Sequence, residues 1–171
     1  GEQTGAGTTR ITSTGSLVVA AGSSSVQLHG GRTLQNQGTI SWQNGTIYSG
    51  ESALIDNQGT FDATGDAAVV LGYAGTALLH NTGTFAKAAG TGTTTVGIGM
   101  TNDGTIQAAS GTLSLAAGLT NYDVSSHALT GGTYSVSATL AIANADVTAN
   151  AANMTLSGAG AKVVDLSSTD A

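Results

Sequence analysis

Residues 34–40 read Leu-Gln-Asn-Gln-Gly-Thr-Ile: an apolar residue, any residue, Asn, any residue, Gly, Thr and a second apolar residue. The same pattern returns at residues 55–61, 79–85 and 100–106, and a partial fifth copy, Leu-Thr-Asn, begins at residue 119. The four full copies start 21 to 24 residues apart, and a regular period of this length is typical of proteins built from stacked structural repeats. The sequence therefore predicts a solenoid with about 21 residues in each coil.

The segments between these copies are short and rich in Thr, Val, Ile and Leu, as β-strands are. Examples are residues 39–42, 69–71 and 112–115. Gly, Asn, Asp and Ser fall between the segments, where the backbone has to turn. Helical repeats have longer periods and need amphipathic helices. We therefore predict an all-β fold, a single-stranded right-handed parallel β-helix (β-solenoid) of about eight coils of about 21 residues, forming one domain over residues 1–171.

Two apolar columns and one polar column are expected if equivalent residues of successive coils stack on each other. The predicted inward stacks are Leu34, Ile55, Leu79 and Met100, and Ile40, Phe61, Phe85 and Ile106. The asparagines are expected at a corner, where stacked side-chain amides bond each other and the turn backbone. This structural ladder comprises Asn36, Asn57, Asn81, Asn102 and Asn121.

Composition excludes several classes of protein. A chain with 40% hydrophobic and 8% charged residues is unlike a disordered linker. A net charge of -6 with only four Lys and Arg leaves too few cations to bind nucleic acid or an anionic membrane surface. No apolar run approaches the ~18 residues of a membrane helix, and no signal peptide is recognisable. The absence of Cys excludes disulfides and thiolate metal sites, and we interpret the chain as a fragment of a larger exported protein.

The repeat pattern, the phrase Leu-Thr-Gly-Gly-Thr-Tyr at residues 129–134 and the low-complexity segment 148–165 together resemble a known kind of repeat. They are similar to the repeats of large bacterial exported proteins, the filamentous-haemagglutinin-type and autotransporter-passenger β-helices, over residues 34–165. This resemblance implies a non-catalytic structural or adhesive segment, outside the cell or on its surface, without a cofactor. The implied partners are glycans or cell-surface proteins and the neighbouring repeats of the parent chain. The uncovered ends of such a fragment are expected to carry irregular caps or to associate end to end.

A carbohydrate-active β-helix, either a polysaccharide lyase or a glycosidase, is the main alternative. Such enzymes need carboxylates facing one cleft, and the densest set here is Glu51, Asp56, Asp62 and Asp66, within about one coil. This set could form an acid and base patch or a weak Ca²⁺ site, or simply a solvated charged surface. A lyase would also need a base beside them, and Arg32 and Lys87 lie one or more coils away. His29, His80 and His127 are far apart in sequence and are expected to be isolated surface residues, so we assign no catalytic or metal-binding residue.

Two further surface functions are suggested by single residue types. Ice-binding solenoids carry two neighbouring columns of outward threonines. The sequence predicts one such column, formed by Thr39, Thr60, Thr84 and Thr105. The positions of the second column are occupied by Ser41, Asp62, Ala86 and Gln107, so the required array is incomplete.

A small sugar-binding patch is the other hypothesis, because aromatic rings beside amides can stack on and bond to a sugar. Its residues would be Trp42, Gln43, Asn44 and Tyr48.

Overall fold

The computed structural model describes residues 1–166, apart from the side chains of Ala21 and Ser23. This part of the chain consists of β-strands and contains no helix. The strands are β1 (Glu2–Gln3), β2 (Gly7–Ile11), β3 (Ser16–Leu28), β4 (Arg32–Asn36), β5 (Thr39–Ser49), β6 (Ala53–Asn57), β7 (Thr60–Ala63), β8 (Ala68–Leu71), β9 (Ala77–Asn81), β10 (Thr84–Lys87), β11 (Thr93–Gly97), β12 (Gly99–Asn102), β13 (Thr105–Ala108), β14 (Thr112–Leu115), β15 (Tyr122–Asp123), β16 (Ala128–Leu129), β17 (Thr133–Val136), β18 (Thr139–Ile142), β19 (Ala149–Asn150), β20 (Asn153–Leu156) and β21 (Lys162–Asp165).

The first five coils pass through three sheet faces, and the last two coils instead contribute β16 and β19 to a separate three-stranded sheet, β15-β16-β19. Face 1 is a five-stranded sheet in the order β12-β9-β6-β4-β2. Faces 2 and 3 belong to one 13-stranded sheet, because β3 and β5 run through both faces without a break. Face 2 contains the first halves of β3 and β5 with β7, β10, β13, β17 and β20, and face 3 contains their second halves with β1, β8, β11, β14, β18 and β21. The strands stack in parallel as a β-solenoid of roughly 7 turns of about 23 residues each, which confirms the predicted fold and comes close to the predicted coil size.

The two predicted apolar columns form the centre of the core. Leu34, Ile55, Leu79 and Met100 lie in register on face 1. Ile40, Phe61, Phe85 and Ile106 lie in register on face 2. All eight side chains are buried, and removing each from water contributes roughly 1.5–3 kcal/mol. Phe61 packs on both Phe85 and Trp42, with ring centroids 5.2 and 6.0 Å apart, so the widest side chains fill the lumen in the middle turns.

The corner between face 1 and face 2 is built around the repeated Gly. The backbone N–H of Thr84 donates to the carbonyl oxygen of Gly59 at 2.8 Å, and that of Thr105 donates to Gly83 at the same distance. A Cβ atom on Gly83 would collide with the Gly59 carbonyl oxygen, and one on Gly59 would collide with that of Gly38. The repeat therefore requires Gly at this corner, because successive backbones approach too closely for any side chain.

The repeated Asn lies inside the same corner. Asn36 donates its side-chain N–H to Asn57, Asn57 donates to Asn81, and Asn81 donates to Asn102, each at 2.7 Å. Each of the three donors also reaches the backbone carbonyl oxygen of a Thr in the next coil, at 2.9 to 3.0 Å. These side chains are fully buried, so the ladder satisfies polar groups that would otherwise be unpaired. Asn121 lies differently, since its Oδ1 accepts from the backbone N–H of Asn102 at 2.6 Å.

A hairpin interrupts the repeat after Asn121. Strands β15 and β16 pair antiparallel, and the regular path resumes at Gly132-Thr133-Tyr134, where Thr133 pairs with Thr105 and Tyr134 with Ile106. The fifth copy of the motif is therefore split, and its second half lies beyond the hairpin. Strand β19 of the last coil stacks on β16, so the hairpin also supplies the support for the next coil.

Candidate functional site

Three ionisable side chains and one aromatic ring meet at the corner between face 3 and face 1. We call this group the corner cluster; it consists of Glu2, His29, Glu51 and Tyr73. Glu2 belongs to β1, whereas the other three follow β3, β5 and β8 in successive coils. Parallel stacking places equivalent corner residues above one another, about 4.8 Å apart. Residues distant in sequence are therefore neighbours here.

His29 is held between two carboxylates. Its Nε2 lies 3.0 Å from Glu2 Oε1, and its Nδ1 lies 3.0 Å from Glu51 Oε2. The imidazole is only 14% exposed. A neutral imidazole has a single N–H group, so only the protonated ring donates to both carboxylates at once.

The electrostatics of the corner cluster favour that protonated state. The hydrogen bond to Glu51 raises the pKa of His29 above its ordinary value, burial acts in the opposite direction, and the hydrogen bond to Glu2 raises it further. Burial raises the pKa of Tyr73, and the negative charges of Glu2 and Glu51 add to that shift. The cluster can therefore hold a proton on His29 and release it as the pH rises.

Tyr73 fixes the orientation of the imidazole. The two rings stack with their centroids 3.9 Å apart and an interplanar angle of 18°. The Tyr73 hydroxyl donates to Gln27 Oε1 at 2.7 Å, which connects the third coil to the first. Stacking on one side and a carboxylate at each ring nitrogen leave His29 little freedom to rotate.

The backbone that carries Glu51 is strained. Glu51 and Ser52 have φ values of 52° and 63°, in the left-handed region that non-Gly residues rarely adopt. Such residues cost of order 1–3 kcal/mol each and concentrate at functional sites. The strain is offset by hydrogen bonds of 2.7 Å from the Glu51 and Ser52 N–H groups to the carbonyl oxygens of Ala74 and Thr76.

A second row of polar side chains crosses the outer surface of face 1. Arg10 donates to Gln35 at 2.6 Å, and Gln35 donates to Asp56 at 3.1 Å. His80 lies 3.7 Å from Asp56 and 2.9 Å from Asp103. The row connects the first coil to the fifth through side-chain contacts.

The predicted acidic patch is not assembled. Glu51 lies in the corner cluster, Asp56 on face 1, Asp62 on face 2 and Asp66 at the corner between faces 2 and 3. Burial raises the pKa of Asp62. Among residues 1–166, no three His, Asp or Glu side chains are arranged to hold a metal ion. The four carboxylates therefore do not come together in one patch, because one coil distributes them around its perimeter.

Sequence reasoning missed a buried cation. Lys87 occupies an inward position of face 2 and is fully buried, and its Nζ lies 2.7 Å from Asp66 Oδ1. This ammonium also donates to Thr94 Oγ1 and to the carbonyl oxygens of Gly65 and Ala89, at 3.0 to 3.3 Å. Lys87 and Asp66 are thus about one coil apart in sequence but in direct contact in the structure.

The three histidines are not isolated, contrary to the expectation from their spacing. His127, in the hairpin, lies 3.8 Å from Asp146 Oδ2, and its Nδ1 is 3.1 Å from the Asp146 carbonyl oxygen. The Tyr122 hydroxyl donates to that same carbonyl at 3.0 Å. Each histidine therefore contacts an acidic residue of another coil, and the sequence signal of such a contact is a separation of about one coil length, as the shared repeat position of Asp56 and His80 indicates.

The four residues of the predicted sugar-binding patch do not share a surface. Trp42 lies in the core, where its Nε1–H donates to the Gly45 carbonyl oxygen at 3.1 Å. Gln43 and Asn44 are exposed at the corner between faces 2 and 3, and Tyr48 is 39% exposed on face 3. Trp42 therefore offers no ring face to a ligand, which corrects that prediction.

No family model, curated protein or solved structure matches the chain. Within residues 1–166, no helix has the length and apolar character needed to cross a membrane.

Proposed function

We propose that the chain is a non-catalytic structural and adhesive β-solenoid segment of a large bacterial exported or cell-surface protein. In this role, successive coils extend a stiff support, and the outer faces attach to surfaces, cells or glycans. The expected location is extracellular or on the cell surface. The proposal is supported by features of the last coil and of face 2.

The observation that carries the proposal is the open apolar end of the stack. Leu156 of the last coil pairs in register with Val136, and Val163 pairs with Leu140. Val136 and Leu140 are completely buried, whereas Leu156 is 55% exposed. Another coil in the same register would bury Leu156 and Val163, and each would contribute roughly 1.5–3 kcal/mol. The last coil is thus a surface suited to stacking a further coil.

The adhesive part of the proposal rests on the regular outer surface of face 2. Five threonines lie in direct register along it, namely Thr39, Thr60, Thr84, Thr105 and Thr133. Their hydroxyl groups recur at the coil spacing, about 4.8 Å. A repeating row of donors and acceptors suits a repeating ligand such as a polysaccharide. The neighbouring positions are Ser41, Asp62, Ala86, Gln107 and Ser135, and this irregular second column does not favour the ice-binding alternative.

Binding and cleavage of polysaccharides should be measured together to test the proposal. The immobilised chain is expected to retain host or environmental glycans without releasing new reducing ends or unsaturated sugars. Thr84→Val should weaken retention because it removes a hydroxyl from the centre of the row, while Thr155→Val, on the last coil outside the row, should not. Retention that is equal in both variants, or absent from the wild type, would contradict the adhesive role.

A carbohydrate-active function is the second candidate, and the corner cluster is the observation that favours it. Two carboxylates on opposite edges of one protonated imidazole are groups that acid–base chemistry uses. If the chain degraded a polysaccharide and Glu51→Gln abolished the degradation while preserving retention, this function would replace the first.

A further inference from the structure

An apolar cavity of about 400 Å³ lies at the end of the stack nearest residue 1. Its wall includes Val19 and Val26 of the first coil, Leu34 and Ile40 of the second, and Ile55 and Phe61 of the third. The volume is within the range of small-molecule sites, about 300–1,000 Å³.

The cavity extends well inside the solenoid. Ile55 and Phe61 are each 1% exposed, yet both line it. A surface left open by the first coil alone would be lined only by first-coil side chains. Further from residue 1 along the stack, the lumen is filled by the rings of Trp42, Phe61 and Phe85. The first coil lines this space with aliphatic side chains, namely Leu17, Val19, Val26 and Leu28, and contributes no ring to fill it.

One polar atom in the cavity wall lacks a partner. Gln3 pairs with Leu28, an inward residue, and therefore belongs to an inward column. Its Oε1 is buried without a hydrogen bond, and Gln3 lines the cavity. A buried unpaired acceptor costs about 1–3 kcal/mol, and a ligand that donates one hydrogen bond would remove that cost.

We propose that this cavity is a binding site for a small aliphatic molecule with a single hydrogen-bond donor, such as a medium-chain alcohol. The aliphatic wall takes the hydrocarbon part, and Gln3 Oε1 accepts from the donor group. An apolar cavity of about 150 Å³ holds benzene, so this one has room for roughly 10–15 non-hydrogen atoms. This site is separate from the outer faces on which the proposed adhesive function depends.

The protein contains a built-in reporter for such a ligand. Trp42 is the single tryptophan of the sequence. It pairs in register with Val19 and packs edge-on against Phe61, and both of these neighbours line the cavity. Occupancy of the cavity should therefore shift the fluorescence of Trp42.

The test is a titration of the full chain with octan-1-ol, followed by Trp42 fluorescence and by calorimetry. We expect a saturable change with one site per chain. Val26→Phe fills the cavity and should weaken binding at least about tenfold. Val163→Phe is the matched control, since it makes the same change in the open space at the opposite end of the stack and should leave binding unchanged.

A second variant tests the polar contact and does not depend on filling the core. Gln3→Leu should weaken octan-1-ol binding about 5- to 10-fold, the value of one hydrogen bond. The isomer 1-methoxyheptane has no donor, so Gln3→Leu should leave its binding unchanged. Far-ultraviolet circular dichroism checks that each variant is folded.

Three outcomes would overturn the proposal. The first is a linear, non-saturating response to octan-1-ol. The second is equal weakening by Val26→Phe and Val163→Phe. The third is end-to-end association, measured by sedimentation, that octan-1-ol does not reverse, because a second copy would then be the occupant of the cavity.

Discussion

Lys87 Nζ lies 2.7 Å from Asp66 Oδ1, at the corner between faces 2 and 3. The lysine side chain is fully buried, whereas the Asp66 side chain is 43% exposed. The hydrogen bond from Lys87 lowers the pKa of Asp66, and a second bond from the Gly92 N–H adds to this effect. The pair therefore joins a buried cation to an exposed anion one coil away.

We expect Asp66→Ala to destabilise the protein more than Lys87→Met does. Asp66→Ala leaves a buried ammonium with only neutral acceptors, whereas Met fills a similar volume without a charge, and its effect should stay within about 1.5 kcal/mol. Urea unfolding of both variants measures the two effects. If Lys87→Met were the more damaging change, the ion pair would not be the source of the stability.

Asn81→Ala should lower the free energy of unfolding by about 2–4 kcal/mol. The substitution removes the bonds of Asn81 to Asn102 and Thr105, and it takes away one of the two acceptors of the buried Asn57 amide. The matched control is Asn153→Ala on the exposed edge strand β20, where we expect a change below about 0.5 kcal/mol. Equal losses in the two variants would mean that the ladder adds no stability of its own.

Gly83→Ala should destabilise the protein by about 2–4 kcal/mol, because the new methyl group would collide with the Gly59 carbonyl oxygen. Gly99→Ala is the control. A Cβ atom at residue 99 would lie 3.6 Å from its nearest atom, Leu78 Cδ1, which is an ordinary van der Waals distance. That change should be neutral or slightly stabilising. Thermal unfolding of both variants checks the prediction, which fails if Gly83→Ala melts at the wild-type temperature.

The contribution of His29 to stability should depend on pH. Its pKa in the folded protein is raised, so the contribution is complete below the unfolded value of about 6.5 and is lost as the pH rises through the higher folded value. His29→Gln should therefore destabilise the protein more at about pH 5.5 than at about pH 8.5. Urea unfolding at both pH values, with NMR titration of the imidazole, measures this difference. A His29 pKa at or below about 6.5 would contradict it.

Val136→Thr should cost about 1–3 kcal/mol, because it places a hydroxyl in the closed core. Val163→Thr, in the last coil, should cost less than about 1 kcal/mol because part of its side chain is already in contact with solvent. Chemical denaturation of the two matched variants compares the closed and open parts of the stack. Similar costs would mean that the last coil is covered, and the support for the proposed stacking role would be lost.

Distance along the chain was a poor guide to the charged residues. Lys87 lies about one coil from Asp66 in sequence, and in a solenoid that spacing places the two side chains on top of each other. The same rule places His29 beside Glu51, and it also accounts for His80 beside Asp56, which the shared repeat position of those two residues predicts. The position of Trp42 was also predictable, since Ile40 points inward and alternation along a strand makes Trp42 point inward as well.

The sequence alone determined the parallel β-solenoid, the length of its coil and the two apolar columns. The sequence determines these features because equivalent residues of successive coils stack on each other. The period of the sequence repeat therefore equals the length of one coil. Only the tertiary structure decided the corner cluster, the Lys87–Asp66 pair and the cavity near residue 1. The corners vary in length and backbone conformation from coil to coil, as the strained backbone at Glu51 and the hairpin after Asn121 show, so their contacts depend on geometry that the periodic pattern does not contain.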